Sequence, residues 1–303
     1  MAKQPVVVLG ASGLLGRAVY KAFSESDAFN VIGTAFSRAR GSLVVLDVTS
    51  KSAVEAFLAT HKPAAVISCA AERRPDVAEK DKDGAHLINV TSVGWLAKAC
   101  KDNNAWFCYL STDYVFDGTA PPYEVDSVPN PLNYYGQSKY LGEQECVKCN
   151  PESAILRIPL LYGDVEWDDE SAVNCLVPII KNKAKPVIMD DFQLRFPTNV
   201  VDAASALLAL TTQATSGKSV KGIYHFCAQE QFTKYQLCSI IADLLQADIS
   251  HLTPLREAAK DAVASRPFNA YLSNKRIEEE AGIKIQCVDF KAWWADYLKA
   301  KGN

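Results

Sequence analysis

The chain reads as an α/β protein with a doubly wound parallel sheet and a smaller, less regular C-terminal lobe. Three observations predict this. Strand-like and helix-like segments alternate through the first half, as repeated βαβ units do. The opening strand Val6-Val7-Val8-Leu9 is apolar at four successive positions, as a strand buried on both faces must be. It runs directly into Gly10-Ala11-Ser12-Gly13-Leu14-Leu15-Gly16, after which Leu14, Leu15, Ala18, Val19, Ala22 and Phe23 recur at helical spacing. Strand, glycine turn and amphipathic helix together predict a dinucleotide site. Gly10 permits the tight turn, Gly13 lets backbone approach a pyrophosphate, and Gly16 lets the helix pack closely on the strand. The phosphates then meet free N–H groups and the positive dipole end at the helix N-terminus.

The remaining elements follow in order. Val31 to Phe36 reads as a second strand and Leu43 to Leu46 as a third. Val54, Phe57 and Leu58 mark a short helix, and Ala64 to Ala71 a fourth strand with its exit. A helix over Ala85 to Cys100 leads to a fifth strand, Trp106 to Leu110. A helix over Tyr134 to Cys149 leads to a sixth, Ala154 to Ile158. Further helices are expected over Ala172 to Lys181, Val200 to Leu210 and Phe232 to Leu245, the last with Thr233 as N-cap. Gly222 to Phe226 reads as a late strand, and a final helix carries Trp293, Trp294, Tyr297 and Leu298. We expect residues 1–160 to form the nucleotide lobe, with about 190–226 returning to it. Residues 161–189 and 227–303 then form the smaller lobe, with the ligand cleft between the two.

Composition narrows the function classes. Of 303 residues, 49% are hydrophobic and 22% charged, ordinary for a globular chain with a sizeable core. A net charge of −3 gives no field that favours nucleic acid or an anionic membrane surface. No apolar run approaches the roughly 20 residues of a membrane span. Met1 to Pro5 leads straight into the first strand, which predicts no signal peptide and a cytoplasmic protein. Nine cysteines form no framework; Cys69, Cys108 and Cys227 lie in apolar runs and read as small buried hydrophobes. Cys146 and Cys149 form a lone C-x-x-C, and His61, His86, His225 and His251 have no ligand-like spacing, so no metal site is expected.

Three stretches carry chemistry. An NAD-preferring site places an acid after the second strand; here stand Phe36-Ser37-Arg38-Ala39-Arg40, whose arginine forks suit a 2′-phosphate and predict NADP(H). Asp47-Val48 falls where the adenine edge would lie. The fifth strand ends in Ser111-Thr112-Asp113-Tyr114, at the carboxyl edge where ligands bind. Some 20 residues later, Tyr135 and Lys139 share one helix face at i and i+4. A nearby ammonium is expected to lower the Tyr135 pKa, so that Tyr135 can donate a proton to a carbonyl oxygen held by Thr112. Glu72, Arg73 and Arg74 leave the fourth strand and either meet an anionic ligand or close the loop on one another.

Glycine loop, Ser-Thr-Asp-Tyr and Tyr-x-x-x-Lys together resemble an extended short-chain dehydrogenase/reductase. Ser111 to Gly118 is similar to the corresponding segment of dTDP-4-dehydrorhamnose reductases. Longer stretches resemble the regulatory β-subunit branch of methionine adenosyltransferases. They are Cys69 to Val77, Leu156 to Gly163, Gln193 to Thr198, Thr233 to Tyr235 and Ser250 to Leu252. The resemblance implies a Rossmann lobe that binds NADP, a lobe shaped for a nucleotide-sugar-like ligand, and Asn89 bracing the active-site backbone. It implies either a regulatory partner of the methionine adenosyltransferase catalytic subunit or a reductase of a 4-keto-6-deoxy nucleotide sugar. The β subunits' C-terminal docking tail has no obvious counterpart in Lys301-Gly302-Asn303, and Glu72-Arg73-Arg74-Pro75 departs from the reductases. The expected cofactor contacts are Gly10, Ser12, Gly13, Leu14, Leu15, Gly16, Arg38, Arg40, Asp47, Val48, Cys69, Ala70, Ala71, Asn89, Tyr135, Lys139, Ile158 and Pro159. Catalytic roles fall to Thr112, Tyr135 and Lys139. Expected substrate contacts are Glu72, Arg73, Asp113, Tyr114, Tyr162, Arg195 and Arg266.

Overall fold

In the computed structural model, described over residues 2–259 and 262–302, the glycine turn sits at the centre of one parallel sheet. The first half runs β1 (Gln4–Leu9), α1 (Leu14–Ser24), β2 (Phe29–Ala35), β3 (Val44–Val45), α2 (Lys51–His61), β4 (Ala65–Ser68), α3 (Pro75–Lys80), α4 (Lys82–His86), α5 (Ser92–Asp102), β5 (Trp106–Thr112), α6 (Tyr134–Cys149) and β6 (Ala154–Ile158). The second half runs β7 (Leu161–Tyr162), α7 (Leu176–Lys181), β8 (Val187–Asp190), β9 (Thr198–Asn199), α8 (Val200–Thr215), β10 (Gly222–His225), α9 (Lys234–Leu245), β11 (Leu252–Leu255), α10 (Lys275–Glu279) and α11 (Phe290–Ala300). The sheet order is β10-β6-β5-β4-β1-β2-β3. All the strands run parallel, and the direction in which successive strands are added reverses between β1 and β4, the switch point at which doubly wound sheets bind nucleotides.

Both sheet faces are covered. Val6 and Val8 face α1 and α8, whereas Val7 and Leu9 face α2 and α5, the two-residue alternation of a fully buried strand. A separate core joins α7, α9 and α11 over the small parallel pair β8–β11. There Trp294 is fully buried, and the Trp293 and Tyr297 rings stack at 4.8 Å.

Several expectations change. The long helix read over Ala85 to Cys100 is divided, because Leu87–Thr91 makes a π-helical turn between α4 and α5. The helix read from Ala172 starts only at Leu176. Ser171 instead turns the chain, its hydroxyl accepting from the Val173 and Asn174 amides. The third strand shrinks to two residues, and the Val200 helix extends past Leu210 to Thr215. The pairs β8–β11 and β7–β9 were not foreseen. Cys108 and Cys227 are buried as expected, whereas Cys69 is only half-buried because it lies at the sheet's carboxyl edge.

Candidate active site

The glycine turn is shaped by sterics. Gly10 has φ +73°, in the left-handed region, and a Cβ there would come within 2.9 Å of the Ala70 backbone nitrogen. The exit of β4 is thus held against the turn. A Cβ on Gly16 would fall on the Gly10 carbonyl, so α1 can lie this close to β1 only with glycine there. Gly13 caps α1 without a side-chain hydrogen bond, and the first turn has no acid. The terminal amides therefore offer an anion-binding end, and the cradle suits a dinucleotide pyrophosphate. Leu14 and Leu15 pack beneath it, and the Ser12 carbonyl accepts a 2.9 Å bond from Arg17.

Around this turn the structure gathers the sequence-predicted residues. Thr112 ends β5, 5% exposed; its hydroxyl donates to Asp113 Oδ1 (3.0 Å) and accepts from the Tyr114 amide (3.2 Å). Tyr135 lies in the first turn of α6, whose Asn133 cap accepts from the Gly136 amide at 2.9 Å. The Tyr114 and Tyr135 rings meet edge-on at 5.9 Å. Lys139, one turn further, is 3% exposed, and its ammonium sits 4.1 Å from the centre of the Tyr109 ring.

Asn89 ties these parts together. Its side chain accepts from the Glu72 amide (3.1 Å) and donates to the Glu72 carbonyl (3.0 Å) and Ser138 Oγ (3.0 Å). Its carbonyl accepts from the Tyr109 hydroxyl at 3.0 Å. One residue in the π-turn thus fastens the exit of β4 to β5 and α6. A π-turn at such a point is common at functional sites.

The electrostatics correct one expectation. Burial raises the Tyr135 hydroxyl above its ordinary range, and the Thr112 hydroxyl is the main group opposing this. Burial lowers the Lys139 ammonium to about 7, against the pull of Glu143 and Cys69. Lys139 is not among the groups that mainly set Tyr135, since a dry pocket penalises both charged forms. Burial also lifts the Asp113 carboxyl to about 7, although Thr112 and Arg195 oppose it.

Other candidates divide. Cys69, Ala70 and Ala71 line the exit of β4, half-buried; Ile158 and Pro159 are buried at the end of β6. Asp47 folds onto Thr49, accepting from its amide and hydroxyl, with Val48 buried behind it. Arg40 is exposed. Arg38 meets Glu166 at 3.5 Å and Glu170 at 3.4 Å. Glu72 grips Arg74 through two bonds (2.9 and 2.7 Å), which closes the loop on itself, while Arg73 stays exposed beside it. Arg195 is 4% exposed, paired with Asp190 at 3.4 Å and bonded to the Gln193 side chain. Arg266 reaches Asp76 at 2.8 Å, joining the C-terminal part to the start of α3. Tyr162 is not brought to the crevice: at 1% exposure it is core, its ring against Phe290 and Trp293.

Sequence reasoning missed Tyr109 and Glu143. Glu143 continues the Tyr135–Lys139 row at the next i+4 step, a spacing that would have found it. It is 3% exposed and grips Arg157, itself 1% exposed, at 2.9 and 2.7 Å. Among the described residues, no group of three or more His, Cys, Asp or Glu could hold a metal ion, and no helix is long and apolar enough to cross a membrane.

Comparison with known proteins places this arrangement. The family model described as RmlD substrate binding domain matches residues 4–300. A protein of Xenopus tropicalis named methionine adenosyltransferase 2 subunit beta is 45% identical over 273 residues, 90% of this chain and 81% of that one. The dTDP-4-dehydrorhamnose reductase of Aggregatibacter actinomycetemcomitans is 31% identical, over 92% of this chain and 94% of that one. The crystal structure of dTDP-4-dehydrorhamnose reductase from Bacillus anthracis in complex with NADP superposes with a TM-score of 0.84 at 25% identity, covering 99% of this chain and 100% of that one. With the glycine turn, the reversal between β1 and β4 and the Thr112–Tyr135–Lys139 grouping already in place, the chain belongs to the RmlD substrate binding domain family, as one of its extended short-chain dehydrogenases/reductases.

Proposed function

We propose that the protein binds NADP(H) across the β1–β4 crevice and acts as a regulatory partner of a methionine adenosyltransferase catalytic subunit. The observation that carries the regulatory reading is the 45% identity to a protein named as that enzyme's beta subunit, over 90% of this chain. The uncapped start of α1 and the glycine cradle support dinucleotide binding, and Arg38 with no acid after β2 supports the 2′-phosphate form. In this reading residues 1–160 with about 190–226 hold the cofactor, 161–189 and 227–303 shape the ligand lobe, and the protein is cytoplasmic. Mixing the full chain with the cognate catalytic subunit at micromolar concentration should give a complex in size-exclusion chromatography and change that subunit's kinetics. No association sinks the regulatory reading.

The Thr112–Tyr135–Lys139 grouping favours a second reading, NADPH-dependent reduction of a 4-keto-6-deoxy nucleotide sugar. The bound cofactor would supply the hydride. Tyr135 would give its hydroxyl proton to the carbonyl oxygen, and Thr112 would turn its hydroxyl from Asp113 to donate to that oxygen. Lys139, over the Tyr109 ring one turn along α6, would hold the nicotinamide ribose. Asp113 and Arg195 would bound the sugar's side of the crevice. Remote binding of the nucleotide would position the reacting carbon. Tyr135→Phe should lower turnover by about 10²–10⁴-fold yet leave any effect on the transferase intact. Unchanged turnover would remove Tyr135 from the chemistry.

A further inference from the structure

Arg38 is already occupied. Its guanidinium lies 3.5 Å from a Glu166 carboxylate oxygen and 3.4 Å from Glu170, and it stacks 4.7 Å from the centre of the Trp167 ring. All three partners belong to the segment between β7 and α7. That segment is pinned to the glycine turn by Arg17, which donates to the Ser12 carbonyl (2.9 Å), the Asp164 carbonyl (3.2 Å) and both oxygens of Glu170 (2.7 and 2.6 Å). The two acids differ. Glu170 is 2% exposed and fully engaged by Arg17, so it anchors the segment. Glu166 is 44% exposed and touches Arg17 and Arg38 only at 3.8 and 3.5 Å. It is the loosely held one.

We infer that the 2′-phosphate pocket is built from both lobes, and that Glu166 holds the phosphate's place on Arg38 until NADP(H) displaces it. The inference rests on the NADP(H) reading above and adds the residues that set its strength. A phosphate carries more charge than a carboxylate and offers three acceptor oxygens to the same fork. Trp167 keeps the guanidinium plane fixed through the exchange, and Glu170 keeps the segment docked. Glu166 has somewhere to go. It lines a cavity of about 390 Å³ together with Tyr297 and Lys301. Lys301 already pairs with Asp164 of the same segment at 3.0 Å. A displaced Glu166 would therefore lie beside the C-terminal end of α11, some 260 residues along the chain from Arg38.

The test uses the full chain, native and Glu166→Gln, titrated calorimetrically with adenosine 2′,5′-bisphosphate and with 5′-AMP. An exposed ion pair is worth up to about 1 kcal/mol, so releasing it should tighten the bisphosphate by about two- to fivefold and leave AMP unchanged. Tryptophan emission should shift with the bisphosphate and not with AMP, and Trp167→Phe should remove that shift. Glu166 is exposed, so thermal unfolding of Glu166→Gln should match the native protein. If the native protein prefers the bisphosphate but Glu166→Gln binds it no tighter, or tightens AMP equally, the inference fails and NADP(H) binding stands. If the native protein does not distinguish the two ligands, both fail.

Discussion

Lys139 should be a measurable burden on stability. Its ammonium is 3% exposed, and burial brings its pKa to about 7, whereas an unfolded lysine titrates near 10.4. Between those values the unfolded chain carries a proton that the folded chain has released, so stability rises as pH rises through that window. Each unit of separation corresponds to about 1.4 kcal/mol, giving ~5 kcal/mol at full separation, with about 2 kcal/mol of it recovered between about pH 7 and 9. Lys139→Met keeps the stem and removes the charge. Near neutral pH it should be more stable than the native protein by up to ~4 kcal/mol, and the gap should narrow by about 2 kcal/mol by pH 9. The assay is urea unfolding at several pH values, comparing native and variant so that other titrations cancel. Parallel curves across the window would refute the claim that this ammonium is held out of water. A destabilised Lys139→Met at neutral pH would show that the contact with the Tyr109 ring outweighs the desolvation.

Three further outcomes are expected. Gly16→Ala should separate α1 from the glycine turn, costing about 1–3 kcal/mol as overpacking does, and should weaken dinucleotide binding; calorimetry and thermal unfolding read both. Glu143→Leu strands the buried Arg157 charge and should cost about 3–5 kcal/mol in urea unfolding, whereas Glu143→Gln, which keeps a hydrogen-bond acceptor, should cost less. Asp113, lifted to about 7, keeps its proton when folded at pH values where the unfolded carboxyl has lost it. Stability therefore falls as pH rises from about 4 to 7, and Asp113→Asn should flatten that fall in denaturant midpoints compared at pH 5 and 7.

What the sequence made legible was local. Tyr134–Cys149 and Ala154–Ile158 have the expected bounds, because Asn133 caps the helix within its own first turn and the strand is a short, wholly buried run. Thr233 caps α9 in a full capping box with Gln236, chemistry contained in four residues. The parallel, doubly wound sheet was also legible, from strand and helix segments in alternation. What stayed hidden depends on distant partners. Val187–Asp190 becomes a strand only because Leu252–Leu255 lies beside it. The ion pair between Arg38 and Glu166 joins positions 128 apart, and neither residue's neighbours announce the other. Tyr162 sits in a stretch that resembles the family's site, yet its ring belongs to the small lobe's core. The Tyr135–Lys139 pair was legible as spacing, but not the dryness that drives their pKa values apart.

The π-turn at Leu87–Thr91 has a consequence for how this crevice tolerates insertion and deletion. A π-turn holds one residue more than an α-helical turn, and each residue rotates the helix by about 100°. Removing one residue there would leave α4 and α5 as a smoother, intrinsically better helix. It would also swing Asn89 away from Glu72 and Ser138, and the β4 exit would lose its tether to α6. The segment thus trades helical regularity for the register of one amide side chain. A chain shortened to the regular helix would keep its sheet but lose the alignment of its crevice, together with the buried hydrogen bonds that Asn89 makes. Chain length at this one turn is therefore as much a part of the crevice as the side chains that line it.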